Sequence, residues 1–136
     1  MSPFRRKQLP PELVPAAEAF RRVLDELEPA KEGLAGALPT NRLPGRPLVD
    51  ALADFEDALE RVDVLMPPWR RPEVDDVWRR CDAGLARARE RAATLRTEAP
   101  DLGGFEGLLG TIQGLLDPLD PFEDAEARFR ALRVRT

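Results

Sequence analysis

The chain lacks histidine and tyrosine, and it has one serine (Ser2), one asparagine (Asn41) and one cysteine (Cys81) among 136 residues. Without histidine, a serine triad, a histidine-ligated zinc or iron site and imidazole acid–base catalysis cannot be built from this chain. A single cysteine cannot form an internal disulfide, which suits a reducing compartment. No motif for a catalytic centre or a cofactor is recognisable, so we expect neither catalytic residues nor a cofactor.

Long apolar runs are also missing. No stretch of eighteen apolar residues exists, so we expect no membrane span, and no apolar segment follows the basic residues near the N-terminus as it would in a secretory signal. The net charge is only −4, and 43% of the residues are hydrophobic. These values predict one globular, cytoplasmic domain over 1–136, with a tail at 1–10.

Prolines divide the sequence into segments. Between the prolines, five segments repeat apolar residues at alternating spacings of four and three, which is typical of helices that pack through one narrow face. The segments cover about 11–38, 47–65, 72–98, 103–119 and 120–132, and a Pro/Gly loop at 39–47 separates the first two. Pro29 lies inside the first segment and should kink or break it near Leu27–Glu28. No strand-like alternation is present, so the fold class is an all-α, antiparallel up-and-down bundle of four to five helices.

Carboxylates are the first candidates for chemistry. Glu56, Glu60 and Asp63 follow one another at about one helical turn in the second segment. Such a set can hold Mg²⁺, and all-α nucleotide pyrophosphohydrolases use clusters of this general type. However, the candidate facing positions Asp25, Glu26 and Glu28 supply no clean partner, and Glu60 points away from the apolar seam. A solvated helix face is therefore the favoured interpretation, and the metal site is an alternative.

Charge is distributed unevenly along the second half of the chain. Residues 69–96 contain eight arginines and five acidic residues, whereas 97–126 contain eight acidic residues and no basic ones. This asymmetry predicts a basic third helix beside an acidic, glycine-rich hairpin formed by the fourth and fifth segments. A nucleic-acid surface is disfavoured, because no aromatic residues are interleaved with the arginines and the whole chain is acidic.

The fourth segment raises the sharpest question, because five glycines occur within 103–114. On a helical wheel its large apolar residues, from Phe105 to Leu119, form one arc, and Gly103, Gly107, Gly110 and Gly114 form the opposite one. Each glycine costs about 0.8–1.0 kcal/mol relative to alanine in a helix interior. Three interpretations stay open: part of 101–107 is loop, the glycines form a groove for another backbone, or they loosen the helix so that it can move.

A groove needs an occupant. One internal candidate is the tail at 3–11, whose Phe4 and Leu9 would lie in it. The external candidates are a protein partner and a second copy of this chain. Trp69 follows two prolines and could cap the bundle in the core or be an exposed contact residue. In the third segment, Trp78 and Cys81 lie on the apolar face and are expected in the core, where burial would make the thiol inert.

Helix ends give further expectations. Asp101 is a candidate cap for the fourth helix, and Asp120, Pro121 and Glu123 match a capping box at the start of the fifth.

For function, we expect a non-enzymatic protein-interaction or regulatory module that binds through Gly103, Gly107, Gly110, Gly114 and Trp69. One alternative is a Mg²⁺-dependent nucleotide pyrophosphohydrolase using Glu56, Glu60 and Asp63. Another is a carrier of apolar small ligands with a pocket near Pro29 and Lys31.

Overall fold

A computed structural model describes residues 7–98 and 102–135 of the chain. Its five α-helices are α1 (Val14–Ala35), α2 (Leu48–Val64), α3 (Asp75–Glu98), α4 (Phe105–Leu116) and α5 (Pro121–Ala131). Short 3₁₀ turns cover Pro11–Leu13, Pro67–Trp69, Pro72–Val74 and Asp117–Leu119. None of the described helices combines the length and the apolar composition needed to cross a membrane.

Side-chain pairs show that neighbouring helices run antiparallel. Between α2 and α3, Asp63 meets Arg89 at 3.3 Å, and Glu56, nearer the start of α2, meets Arg96 at 2.9 Å, nearer the end of α3. Helix α1 packs on α2, where Arg61 donates to Glu26 at 2.8 Å. The predicted all-α antiparallel bundle is therefore confirmed.

Helices α4 and α5 lie end to end along α3 and together make the fourth column of the bundle. Gly114 of α4 meets Arg91, whereas further along the chain Asp124 of α5 meets Arg80. The 3₁₀ turn Asp117–Leu119 joins the two helices. The predicted hairpin of the fourth and fifth segments is thus wrong, because the proline in this turn alters the helix without reversing the chain.

The turn Asp117–Leu119, called the joint below, packs closely on α3, and this close approach depends on Gly84 of α3. A Cβ atom at this position would lie 1.9 Å from the carbonyl oxygen of Pro118. Only glycine lets the turn approach α3 this closely without displacement of the backbone. The joint in turn places Leu119 and Phe122 in the core.

The core is apolar throughout, and among the described residues no polar or charged side chain is classed as buried. Trp69, Phe55 and Phe122 are its largest fully buried side chains. Trp78 is also buried, and its indole Nε1 donates to the carbonyl of Met66 at 2.8 Å. Cys81 is fully buried, as expected, and burial raises the pKa of its thiol to about 12.

Helix α1 continues through Pro29, so of the kink or break predicted near Leu27–Glu28 the break does not occur. Proline removes one backbone donor, but Leu27 and Leu34 on either side are both fully buried. Their packing holds the two halves of α1 on the same core, while Pro29 itself is exposed. Lys31 lies half-buried two positions after Pro29 and pairs with Glu28 at 3.7 Å.

Two short strands correct the expectation of no β-structure. β1 (Lys7–Gln8) pairs antiparallel with β2 (Val134–Arg135), with Lys7 opposite Arg135. A two-residue ladder is made by backbone groups alone and is too short to produce an alternating side-chain pattern. This ladder ties the described N-terminal segment to the end of α5.

The start of α4 differs from the sequence prediction. Gly104 precedes the helix, and Asp101 lies outside the described residues. Phe105 is 52% exposed, so its predicted place in the core is wrong, whereas Ile112 and Leu115 of the same apolar arc are buried. The predicted apolar arc correctly gives the side of α4 that faces the core, but α3 and α1 cover only the second half of that side.

The predicted capping box of α5 is also wrong. Asp120 already has helical dihedral angles, because the preceding 3₁₀ turn leads directly into the helix. Its side chain makes no capping hydrogen bond with any described residue. The backbone N–H of Glu123 instead donates to the carbonyl of Asp120 at 2.9 Å.

Candidate functional site

The glycines of 103–114 do not form one continuous groove. Gly103 and Gly104 have φ values of 67° and 97° and precede α4, which confirms the loop interpretation for these two residues. At Gly107, a Cβ atom would lie 1.4 Å from the carbonyl oxygen of Leu102. The backbone that approaches Gly107 is therefore that of the loop just before α4.

The two remaining glycines have different surroundings. Gly114 faces α3, and its carbonyl accepts a hydrogen bond from Nη1 of Arg91 at 2.6 Å. Gly110 is exposed, and a Cβ atom there would have no described atom within 4 Å outside its own helix. Within α4, the open part of the predicted glycine surface is thus reduced to Gly110.

The tail predicted to cover the glycines lies elsewhere. Leu9 lines the recess between α1 and α5 together with Val14 and Phe129, so its predicted place on the glycine face is wrong. The β1–β2 ladder explains this position, because it fixes the segment before Leu9 to the end of α5. Phe4 falls outside the described residues.

Trp69 belongs to an aromatic cluster in the core. It is fully buried, with its ring centroid 4.8 Å from that of Phe20 and 6.1 Å from that of Phe129. A role for Trp69 as an exposed partner contact is therefore wrong. Its indole Nε1 has no hydrogen-bond partner among the described residues.

The carboxylates of α2 face arginines of α3 and one carboxylate of that helix, Glu90. Glu56 pairs with Arg96 and Asp63 with Arg89, while Glu60 lines the same shallow recess between α2 and α3. Within 7–98 and 102–135, no group of three or more potential ligands lies close enough together to hold a metal ion. Two of the three candidate metal ligands, Glu56 and Asp63, are therefore held in separate ion pairs, and Glu60 makes none with a described residue.

A groove lies between α1 and α5. Its volume is about 750 Å³. Apolar side chains from both helices and from the segment before α1 line it: Leu9, Val14, Ala17, Phe20, Leu24 and Phe129. Among these, Val14 is 39% exposed and Ala17 and Leu24 are half-buried, so apolar surface is accessible there.

The groove exists because α1 and α5 are held by different neighbours. Helix α1 packs chiefly on α2, and α5 packs on α3. The two helices meet through Phe20 and Phe129, whose ring centroids are 5.3 Å apart. Trp69 lies beneath this pair and supports the floor from the core side.

A smaller recess of about 300 Å³ adjoins the groove and extends it along α1. The two share Leu24, Glu28 and Glu126, and the smaller one adds Lys31 and Phe122. Because Phe20 of α1 faces Phe129 and Leu24 faces Phe122, α1 and α5 run antiparallel along the groove.

The sequence contains one signal for the groove that the alternating spacing of four and three does not reveal. Helix α1 carries two adjacent apolar stripes rather than one. Ala16, Val23 and Leu27 are buried, while Ala17 and Leu24, one position further along, line the groove. A single packing partner covers only one of these two stripes, so the other stripe is left to line the groove.

The groove holds carboxylates, arginines and apolar side chains, and the one thiol of the chain, Cys81, is buried away from it. Searches against protein-family models, curated proteins and solved structures give no match to this chain.

Proposed function

We propose that this protein is a non-enzymatic interaction module that binds an amphipathic helix of a partner protein between α1 and α5. The observation that carries the proposal is the apolar floor of the groove, left accessible between two helices of a bundle. Amphipathic helices bind such grooves through apolar residues spaced by three and four positions. The free cysteine fits a reducing compartment, so we place this function in the cytoplasm.

The dimensions of the groove favour a helix over a compact molecule. The lining residues of α1 extend from Val14 to Pro29, which corresponds to about 22 Å at 1.5 Å per residue. A partner helix of about fifteen residues spans this distance. Charged side chains along both edges, such as Glu18 and Arg130, supply the polar rim that protein interfaces have around an apolar centre.

A carrier of apolar small ligands is the second candidate, and one observation favours it. The groove is lined by Pro29 and its extension by Lys31, where the sequence placed such a pocket. The volume of about 750 Å³ also falls in the usual range for small-ligand sites. A carrier would retain an apolar compound on purification, which native mass spectrometry detects. No comparable observation favours the pyrophosphohydrolase, since Glu56 and Asp63 pair with arginines.

The test uses a displayed library of sixteen-residue peptides patterned as amphipathic helices. Ala17→Arg places a long side chain on the floor of the groove while keeping a good helix former. Ala93→Arg is the matched control, because Ala93 is also half-buried on a helix but lies in the recess between α2 and α3.

Peptides selected on the wild-type protein should bind Ala93→Arg with unchanged affinity and lose at least about tenfold on Ala17→Arg, since a blocked pocket removes the central contact. Circular dichroism of both variants checks that the helices remain folded. The proposal fails if no peptide is selected, or if the selected peptides bind Ala17→Arg as tightly as they bind the wild type.

A further inference from the structure

The charges around the α1–α5 groove are separated by sign along its length. At the end near Val14, three arginines and one carboxylate face the groove: Arg21, Arg130, Arg133 and Glu18. At the end near Lys31, four carboxylates accompany this one lysine: Asp25, Glu28, Glu123 and Glu126. The groove is therefore basic at one end and acidic at the other.

Part of this charge is free to meet a partner. Arg21 and Arg133 at the basic end, and Asp25 and Glu123 at the acidic end, make no ion pair with any described residue. Arg130 pairs with Glu126 within α5 at 3.2 Å, but these side chains are 70% and 50% exposed. Such exposed pairs contribute little and can exchange for partners on a docking helix.

We infer that the partner helix carries acidic residues in its first half and basic residues in its second half, and that it docks parallel to α1. This inference rests on the proposed function of the groove. With this charge order, the acidic half lies over Arg21 and Arg133, and the basic half lies over Asp25 and Glu123. Charge complementarity of this kind selects partners and fixes the direction of docking.

The intrinsic stability of helices favours this order over its reverse. A helix with basic residues first could satisfy the same charges by docking antiparallel to α1. However, acidic side chains stabilise the first turn of a helix and basic side chains stabilise its last turn. The acidic-first helix is therefore better formed before it binds, which lowers the cost of ordering it in the groove.

A second copy of this chain fits the groove poorly. Its helices with an acidic first turn and a basic last turn, α2, α3 and α5, all present large apolar residues to the core, where Phe55, Trp78 and Phe122 are buried. The side of α5 left exposed carries Glu126 and Arg130, which would meet the apolar floor. The occupant therefore comes from a different protein with an unburied apolar stripe.

The experiment compares two synthetic sixteen-residue helical peptides with the same leucine stripe and the same charged residues. In one, four glutamates precede four lysines, and in the other the two types alternate. We expect the acidic-first peptide to bind at least about tenfold tighter at low salt, with the difference shrinking as salt screens the rim charges. The readout is the dissociation constant from calorimetry.

Charge variants identify the groove as the origin of this preference. Arg21→Glu with Arg133→Glu should abolish it. The matched control is Arg22→Glu with Arg87→Glu, two exposed arginines away from the groove that make no ion pair among the described residues. A spin label at the peptide N-terminus should broaden the amide signals of Val14 and its neighbours but not those of Lys31.

The outcomes separate this inference from the proposed function. Equal affinity of the two peptides, together with loss of both on Ala17→Arg, overturns the charge order and leaves helix binding intact. Broadening at Lys31 by the N-terminal label overturns the docking direction. If neither peptide binds, or if Ala17→Arg binds both as the wild type does, the proposed function fails as well.

Discussion

Gly84 and Gly110 show how differently two helical glycines act at the scale of single residues. Gly84 admits the carbonyl of Pro118, whereas a Cβ atom at Gly110 would meet no described atom within 4 Å. We expect Gly84→Ala to lower the free energy of unfolding by about 1–3 kcal/mol, because backbone at the joint must move. Gly110→Ala is the matched control and should raise it by up to about 1 kcal/mol through helix propensity.

Urea denaturation of both variants measures these changes. An unchanged free energy of unfolding for Gly84→Ala would contradict the close approach of the joint to α3. If Gly110→Ala were destabilising, the exposed face of α4 would have a contact that the described chain does not provide.

Asp76 gives a prediction for the dependence of stability on pH. Arg128 donates two hydrogen bonds of 3.0 Å to its carboxylate and thereby lowers the pKa of Asp76. Because the folded pKa lies below the unfolded value of about 3.9, the pair stabilises the fold above that pH and loses its effect as the pH falls through the folded pKa.

We therefore expect Asp76→Asn to be less stable than the wild type at pH 6, and this difference to vanish under acid conditions. Urea unfolding at a series of pH values measures it. Asp82→Asn on the same helix is the control, because Asp82 makes no ion pair with a described residue. A difference between wild type and Asp76→Asn that persists unchanged at pH 2 would contradict the role of the ion pair.

At the scale of elements, α1 runs unbroken through Pro29, where the sequence predicted a kink or a break. Proline in a helix interior costs about 3 kcal/mol relative to alanine. Packing of Leu27 and Leu34 outweighs this cost, and it comes from contacts with other elements that local sequence does not reveal. We expect Pro29→Ala to raise the free energy of unfolding by about 1–3 kcal/mol, because one backbone hydrogen bond is restored.

Thermal and urea unfolding of Pro29→Ala test this expectation, with Pro39→Ala in the loop after α1 as a control that restores no helical bond. An unchanged or lower stability of Pro29→Ala would mean that α1 is already adapted to the proline, for instance by a bend that alanine does not relieve.

Helix positions were predictable because proline spacing and the apolar seam are local properties of the chain. The direction of the apolar face of α4 was predictable for the same reason. Which half of that face is covered was not, because Phe105 and Ile112 look equivalent on a helical wheel. Their exposure depends on where α1 and α3 lie beside α4.

At the scale of the whole molecule, the groove was the feature least accessible to sequence reasoning. It arises between α1 and α5, which are more than eighty residues apart in the chain and packed on different neighbours. Ala17 and Leu24 are apolar and have the same helical spacing as the core residues of α1. Only the separation of α1 from α5 distinguishes a partly open stripe from a buried one.

The central claim is that a partner helix binds between α1 and α5, and chemical-shift mapping tests it most directly. A library-selected helical peptide is titrated into the ¹⁵N-labelled protein, and the perturbed amides are assigned. We predict that the largest shifts occur at Val14, Ala17, Leu24 and Phe129, and that Gly110 is unaffected. Shifts centred on Gly110 and Phe105, with the groove residues unchanged, would contradict the account and place binding on the glycine face of α4.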